Sequence, residues 1–340
     1  MVIRTLLEKL TRREDLEAGE AAAAMHEIMD GAASEPVVAA FLVALSMKGE
    51  RPLEIVGLAR AMRERAVKLP GEHVPTVDMC GTGGDRAGTF NISSLAALVV
   101  AGCGVPVAKH GNRSVSSRCG SADLFEALGV NPAAPPDLAG RMLSEAGMAF
   151  LFAPVFHPSM RHAAPVRRAL GLPTAFNLLG PLTNPTAPSC QVVGVPRPEL
   201  TELIARTLGL LGSDRAWVVH GADGLDEIST VGYTKVSEYR GGTVNTFYLH
   251  PSDYGLPTSS VQDLQGGGAD ANAAIAREIL GGERGPRRDV VLLNAAAGLL
   301  VAGAAGSIEE GLETAAGALD SGRARLVLQR LVSLSTEAAA

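Results

Sequence analysis

Aromatic side chains are scarce in this chain: one Trp, four Tyr and eight Phe among 340 residues, so its core must be filled mainly by aliphatic groups. Cysteine is scarce as well. Cys80, Cys103, Cys119 and Cys190 are scattered without a C-x-x-C pair, which disfavours a zinc site, offers no disulfide framework and points to a reducing compartment. No uninterrupted apolar run approaches the ~20 residues that a membrane span requires. The opening MVIRTLLEKLTRRED has neither a long apolar segment nor a small-residue cleavage site, so a secretory signal is not expected and the cytoplasm is the default. Lysine supplies only five of the 30 basic residues, most simply a coding bias, so arginine abundance is no evidence of phosphate binding. The net charge of −6 argues against nonspecific nucleic-acid binding as the main role. Two common phosphate signatures are missing too: there is no G-x-x-x-x-G-K-[ST], and G-x-G-x-x-G fails because Arg86 stands at its third glycine.

A hydrophobic content of 46% with 19% charged residues fits a soluble globular chain, long enough for one large domain or two smaller ones. Residues 1–70 read as helix throughout. Leu6, Leu7 and Leu10 sit at helical spacing in a first segment, and a second covers 16–29. Ser34 caps a third with Pro36 in its first turn, and Pro52 opens a fourth whose Ile55, Leu58, Ala59, Met62 and Ala66 form one face. The third is apolar almost without a break over 37–45, the pattern of a helix buried on all sides. From residue 74 short β-branched runs, at 74–79, 105–108, 148–152, 191–195 and 216–219, alternate with helical ones, the mark of an α/β sheet. Residues 227–248 read as a β-ribbon turning at Gly241-Gly242, and the C-terminal stretch returns to helix, with Ser307 and Glu310 spaced as a capping box. Between 163 and 184 the periodicity breaks down among prolines, around a short helix at 166–170.

The chemistry concentrates in 78–123, where two loops rich in glycine and hydroxyls bracket one apolar segment. The first runs Gly81, Thr82, Gly83, Gly84, Asp85 and is followed, after Thr89, by Asn91, Ile92, Ser93 and Ser94. Glycine lets the backbone approach a ligand, and Asn91, Ser93 and Ser94 suit the start of a helix whose free N–H groups would face an anion. The second loop runs Lys109, His110, Gly111, Asn112, Arg113, Ser114, Val115, Ser116, Ser117, and ends at Gly120-Ser121, where a helix over 122–128 begins. Either loop alone is compatible with an ordinary strand-to-helix turn. Asp226 and Glu227 are adjacent carboxylates after the strand at 216–219; by themselves they read as a solvated turn or as ligands for a hard divalent ion.

The strings GTGGD, NIS and KHGNRSVSS closely resemble the signature of the anthranilate phosphoribosyltransferases, and the resemblance continues in order through 157–185 and 221–229, over essentially the whole chain. It implies a small all-helical domain beside a larger α/β domain with a central mixed sheet, of the nucleoside phosphorylase/phosphoribosyltransferase kind. The helical domain would comprise 1–72 joined by about 163–184, and the α/β domain 73–162 and 185–340, with the site in the cleft between them. The resemblance assigns Gly81, Gly84, Asp85, Thr89, Asn91, Ile92, Ser93, Ser94, the nine residues Lys109 through Ser117, and Ser121 to phosphoribosyl pyrophosphate. Gly81, Asn112 and Arg167 would meet anthranilate, with His110, Ala153, Pro154, His157 and Met160 as ring neighbours. Ser93, Asp226 and Glu227 would hold Mg2+. No general base is assigned, because an aromatic amine is already neutral at pH 7. A homodimer through the helical domain is implied, with small-molecule substrates and neither nucleic acid nor membrane as partner. Arg168 beside Arg167 should point elsewhere, since successive helical residues are about 100° apart. Ser94 stands where threonine is usual, Arg118-Cys119 replaces a typical Lys-Ser, and Leu172-Pro173 varies. The alternatives are a pyrimidine-nucleoside phosphorylase of the same fold and a noncatalytic nucleic-acid-binding relative. The first would carry a different loop in place of KHGNR; the second should have lost phosphate or metal motifs and be basic.

Overall fold

Proline sets two of the first boundaries. In the computed structural model, which describes residues 2–70, 74–114 and 118–337, four helices come first: α1 (Val2–Thr11), α2 (Ala18–Met29), α3 (Glu35–Lys48) and α4 (Pro52–Glu64). Pro36 and Pro52 lie in the first turns of α3 and α4, where a missing N–H costs no helical bond. Leu6 and Leu10 are buried, as are Ile55, Leu58, Ala59, Met62 and Ala66. Helix α3 departs from the sequence expectation. Val38, Phe41, Leu42 and Leu45 are buried, but Val37, Ala39 and Ala44 are only half-buried, Ala40 is exposed and Met47 is 72% exposed. Its apolar composition leaves one face uncovered within a single chain.

The alternating region follows: β1 (Val77–Gly81), α5 (Ile92–Gly102), β2 (Val107–Gly111), α6 (Ser121–Ala127), α7 (Pro136–Arg141), β3 (Met148–Phe152), α8 (Ala153–Phe156), α9 (Ala164–Leu170), α10 (Ala175–Leu179), β4 (Cys190–Gly194), α11 (Leu200–Leu210), β5 (Arg215–Gly221), β6 (Thr234–Arg240) and β7 (Thr243–Leu249). Helices α12 (Ala269–Leu280), α13 (Pro286–Val301), α14 (Ile308–Asp320) and α15 (Arg323–Ser335) complete the chain. The strands form one mixed sheet in the order β3-β2-β1-β4-β5-β6-β7, parallel as far as β5, with β6 and β7 antiparallel. The β6–β7 ribbon turns at Gly241 and Gly242 as read, but it starts at Thr234, not 227. Ser307 caps α14 through its hydroxyl; the Glu310 carboxylate takes Gly306 N, one residue short of a full capping box.

Side chains alternate across the sheet as the strand period of two requires. Met79, Val192 and Trp217 join α5, α13 and α15 on one face, while Cys80, Val193 and Val218 join α4 and α11 on the other. From β1 the sheet grows outward through β2 to β3, and from β4 it grows the opposite way. The order therefore reverses between β1 and β4, and the region beyond the carboxyl ends of these two strands is the position where open α/β sheets bind ligands.

The N-terminal helices are pinned by one buried carboxylate. Glu54 is fully buried; it accepts from Leu16 N (2.8 Å) and Arg51 N (2.8 Å) and pairs with Lys48 Nζ at 3.0 Å. Removing one member of such a group leaves the others unpaired away from water. Glu54→Ala should lower unfolding stability by about 3 kcal/mol in a denaturant titration; a loss below about 0.5 kcal/mol, the size of a surface substitution, would show that the carboxylate is not structural.

Candidate active site

Asp226 and Glu227 follow β5 in a turn closed by Gly224 N donating to Gly221 O (2.9 Å) and Ser229 Oγ donating to Asp223 Oδ2 (2.7 Å). Asn294, buried in α13, braces the next residue from both sides. It accepts from Ile228 N at 3.0 Å and donates to Ile228 O at 2.8 Å. Held this way, the two neighbouring carboxylates reach different partners. Asp226 Oδ2 accepts from Gly83 N (2.9 Å) in the first glycine loop, and Glu227 Oε1 accepts from Ser93 N (3.0 Å) in the first turn of α5. Two glycines make room for them. A Cβ on Gly81 would lie 2.6 Å from Asp226 Oδ2, and one on Gly194 would overlap the Asp226 carbonyl. Arg86, at the position where the dinucleotide fingerprint fails, takes a left-handed φ of 58°, so the turn persists without its glycine.

Asn91 occupies the N-cap position of α5, yet its amide does not cap the helix. Its Nδ2 donates to Cys119 O (3.0 Å) in the second loop, and its Oδ1 accepts from Asn272 Nδ2 (2.9 Å). The anionic partner at this positive helix end is Glu227. Lys109, His110 and Gly111 belong to β2 and not to a loop, which corrects the sequence reading. Polar residues seldom mark a buried strand, but here each finds a partner. Lys109 is 2% exposed; its ammonium donates to Met79 O and lies 3.5 Å from Ser93 Oγ. Lys109 thus stands between the end of β1 and the start of α5, where its charge favours the ionised form of Glu227.

His110 turns away from that cluster. Its Nδ1 donates to Gly180 O (3.0 Å), and its ring lies 5.1 Å from that of His157. Burial lowers the pKa of His110 to about 3 and that of His157 to about 4, so both rings are neutral at pH 7. Beneath them Asp78, wholly buried, accepts from Asn184 Nδ2 (2.8 Å) and His110 N (3.3 Å). Burial raises its carboxyl to about 6 even with Lys109 nearby to oppose the rise.

In the second loop Asn112 Oδ1 accepts from Arg113 N (2.8 Å), and the Asn112 carbonyl accepts from Ala122 N (3.2 Å) and Ser121 Oγ (3.4 Å). Arg113 is engaged by Glu126 (2.6 Å) and Asp123 (2.9 Å), so its guanidinium must exchange carboxylates for any phosphate. Ser114 N donates to Asp123 Oδ2 at 3.1 Å. Val115, Ser116 and Ser117 lie outside the described residues. Thr89 bridges Gln265, and Asp85 Oδ1 accepts from Ala87 N (3.3 Å). Arg167, on α9, is half-buried with its guanidinium carbon 5.2 Å from the centre of the Phe176 ring, whereas Arg168 is exposed. Burial lowers the pKa of Arg167 with no carboxylate to offset it among the described residues.

The structure therefore joins Gly81, Gly83, Ser93, Lys109, Asp226 and Glu227 in one cluster, and Asn91 links that cluster to the second loop. Asp78, Asn184, Gly194 and Asn294 were not singled out from sequence. The available signal was a polar or minimal residue set inside an apolar run, as in VVLLNAAAGLLV. The donor set consists of hard oxygens. Burial raises Asp226, reinforced by repulsion from Asp85 and Glu227; burial also raises Glu227, to about 7. Among the described residues no three carboxylate, histidine or cysteine side chains form a cage on their own. That fits magnesium, which takes one or two carboxylates and completes its shell with water and substrate phosphates.

Two family descriptions cover the chain: "Glycosyl transferase family, helical bundle domain" over residues 4–66 and "Glycosyl transferase family, a/b domain" over 73–325. The anthranilate phosphoribosyltransferase of Moorella thermoacetica is 55% identical over 98% of this chain and 98% of its own length, and that of Syntrophobacter fumaroxidans 51% over 99% and 100%. This chain belongs to the anthranilate phosphoribosyltransferase family. The family's crystal structure from Thermus thermophilus matches 97% of this chain and 99% of its own at 48% identity and a TM-score of 0.92. A Saccharomyces cerevisiae member, in complex with PRPP and Mg, matches 98% of each chain at 28% identity and a TM-score of 0.88. The nucleoside phosphorylase and nucleic-acid-binding alternatives give way to this membership.

The raised carboxyls give the ligand-free chain a definite pH response. Folded Glu227 holds its proton to about 7, against an ordinary value of 4.5, so its contribution to stability is complete below 4.5 and lost as pH passes through about 7. Asp226, also raised, adds in the same direction. Thermal midpoints measured without metal should fall across that window, and Glu227→Gln, uncharged at every pH, should flatten the fall. A midpoint that rises across the window would contradict the assigned environment.

Proposed function

We infer that this chain transfers the phosphoribosyl group of phosphoribosyl pyrophosphate (PRPP) to the amine of anthranilate, giving N-(5-phosphoribosyl)anthranilate and pyrophosphate, a step of tryptophan biosynthesis. The observation that carries the reading is the divergence of Asp226 and Glu227 to Gly83 N and Ser93 N, which places two carboxylates, the glycine loop and a helix start at the sheet's switch point.

Breaking the C1–O bond of the donor builds positive charge on the ribose and negative charge on the departing pyrophosphate. Ser93, Asp226 and Glu227 would hold magnesium, which when bound supplies positive charge beside the pyrophosphate. Lys109 adds a compact ammonium fixed by Met79 O, so little reorganisation is needed as charge develops. The first loop's glycines offer backbone N–H groups, and Asn91, Ser94, Ser114 and Ser121 complete the donor site with the second loop. Gly81, Asn112 and Arg167 receive anthranilate. The neutral His110 and His157 supply a dry, uncharged wall, consistent with an amine that needs no general base. Arg167, desolvated and without a carboxylate partner among the described residues, suits the acceptor's carboxylate through a bidentate fork.

We divide the chain into a helical domain, 1–72 with about 163–184, and an α/β domain of the remainder; α9 packing against α3 and α10 against α4 supports that division. The uncovered face of α3 supports a homodimer through the helical domain. The cytoplasm is our reading of the compartment, because the four cysteines have no C-x-x-C spacing and offer no disulfide framework.

Loss of anthranilate fluorescence on mixing protein, magnesium, PRPP and anthranilate tests the activity, with each component omitted in turn. Arg167→Ala should raise the anthranilate KM by about ten- to several-hundredfold, the loss of a charge-assisted pair, and leave the PRPP KM within a few-fold. Arg168→Ala should move neither. Equal behaviour of the two variants, or a larger effect of Arg167→Ala on the donor, would place the acceptor pocket elsewhere.

A further inference from the structure

Asn272 lies on α12, outside every loop assigned so far, and its side chain is 1% exposed. Its Oδ1 accepts from Gly267 N (2.7 Å) and its Nδ2 donates to Asn91 Oδ1 (2.9 Å). Asn91 Nδ2 in turn donates to Cys119 O (3.0 Å). The two ends of this relay are main-chain groups whose character cannot change: Gly267 N can only donate and the Cys119 carbonyl can only accept. Both amides between them are therefore oriented without ambiguity. Reverse either one and two acceptors or two donors face each other.

The relay spans three segments. Asn91 stands at the start of α5, Cys119 belongs to the second loop, and Gly267 ends a strap that runs back along the first loop. In that strap Phe90 N donates to Leu264 O (3.3 Å), Gly266 N to Gly88 O (3.0 Å) and Gln265 Nε2 to Ala87 O (3.0 Å). Arg287 fixes its outer side through Asp263 O and Gln265 O, both at 3.2 Å. Packing at the crossing is close: a Cβ on Gly266 would lie 2.6 Å from Phe90 N and 2.7 Å from Asn272 Oδ1.

We propose that Asn272 is a positioning residue for the donor site: by orienting Asn91 it ties the first and second phosphate loops together at the separation PRPP requires. The proposal rests on the reading that these loops bind PRPP. Asn272 also stands beside the Cys119 side chain, but its link to the start of α5 runs through Asn91, so most of its effect should vanish once Asn91 is removed.

Calorimetric titration with PRPP and magnesium tests this. Asn272→Asp keeps the acceptor for Gly267 N but can no longer donate to Asn91, and should weaken donor binding by about tenfold or more, the size of one lost hydrogen bond with an unpaired partner. Asn272→Ala, which adds no charge, should do the same, with the anthranilate KM and the kcat at saturating donor within about threefold of wild type. Asn91→Ala should weaken binding too, and Asn91→Ala/Asn272→Asp should be no worse than Asn91→Ala by more than about twofold. Wild-type affinity in both Asn272 variants, or losses that multiply in the double variant, overturns the proposal. Wild-type affinity in Asn91→Ala alone removes the loop assignment, and the proposal with it. If the Asn272 variants do not fold, linkage supplies the test in the unaltered protein: donor binding must slow hydrogen exchange in 264–272, and unchanged exchange there overturns the proposal.

Discussion

Two hydrogen bonds from backbone amides to adjacent carboxylates hold this site together. Gly83 N and Ser93 N belong to different parts of the β1–α5 connection, and Asp226 and Glu227 take one each. Much else follows from accommodating that pair. Gly81 and Gly194 lack side chains because Asp226 fills the space, Asn294 immobilises Ile228 immediately behind, and the buried Lys109 brings positive charge to Glu227 and Asp78. The strand order makes the arrangement possible, since β1 and β4 are neighbours and β5 delivers the pair from the next position along.

On the proposed function, the same bonds account for carboxylates at a site for a highly charged anion. Without a cation the pair is desolvated and repelled by Asp85, so protons are held more tightly than in water. A divalent ion held there would convert that penalty into attraction for the donor, and the amides now bonded to carboxylates are the kind that phosphate oxygens take. Arg113 shows a parallel restraint, paired with Asp123 and Glu126 on the far side of the second loop.

A good part of this was legible in the sequence, for identifiable reasons. Helices α1 to α4 announce themselves through leucine and alanine spacing and first-turn prolines, and the Gly241-Gly242 turn sits where it was read. Family strings drew attention to the two glycine- and hydroxyl-rich loops and to the carboxylate pair, which hydrogen bonds from Gly83, Ser93 and Asn91 link together in the fold. What could not be read was long-range. Lys109 and His110 look like loop residues, since composition carries no sign of the carbonyls of Met79 and Gly180 that accept their protons. Helix α3 looked buried because periodicity reports apolarity, not what covers it. Asn91 was read as a helix cap, yet its amide goes to Cys119 and Asn272, one of them 181 positions away.

The central claim is that Asp226 and Glu227 serve the reaction by holding a divalent ion at the pyrophosphate. Steady-state kinetics of Asp226→Asn/Glu227→Gln at low magnesium test it most directly, because the substitution keeps the size of both side chains and removes both charges. The account predicts a fall in kcat/KM of about two to four orders of magnitude, the loss of several kcal/mol of charge stabilisation. Kinetics indistinguishable from wild type at low magnesium would contradict it and remove the pair from the site.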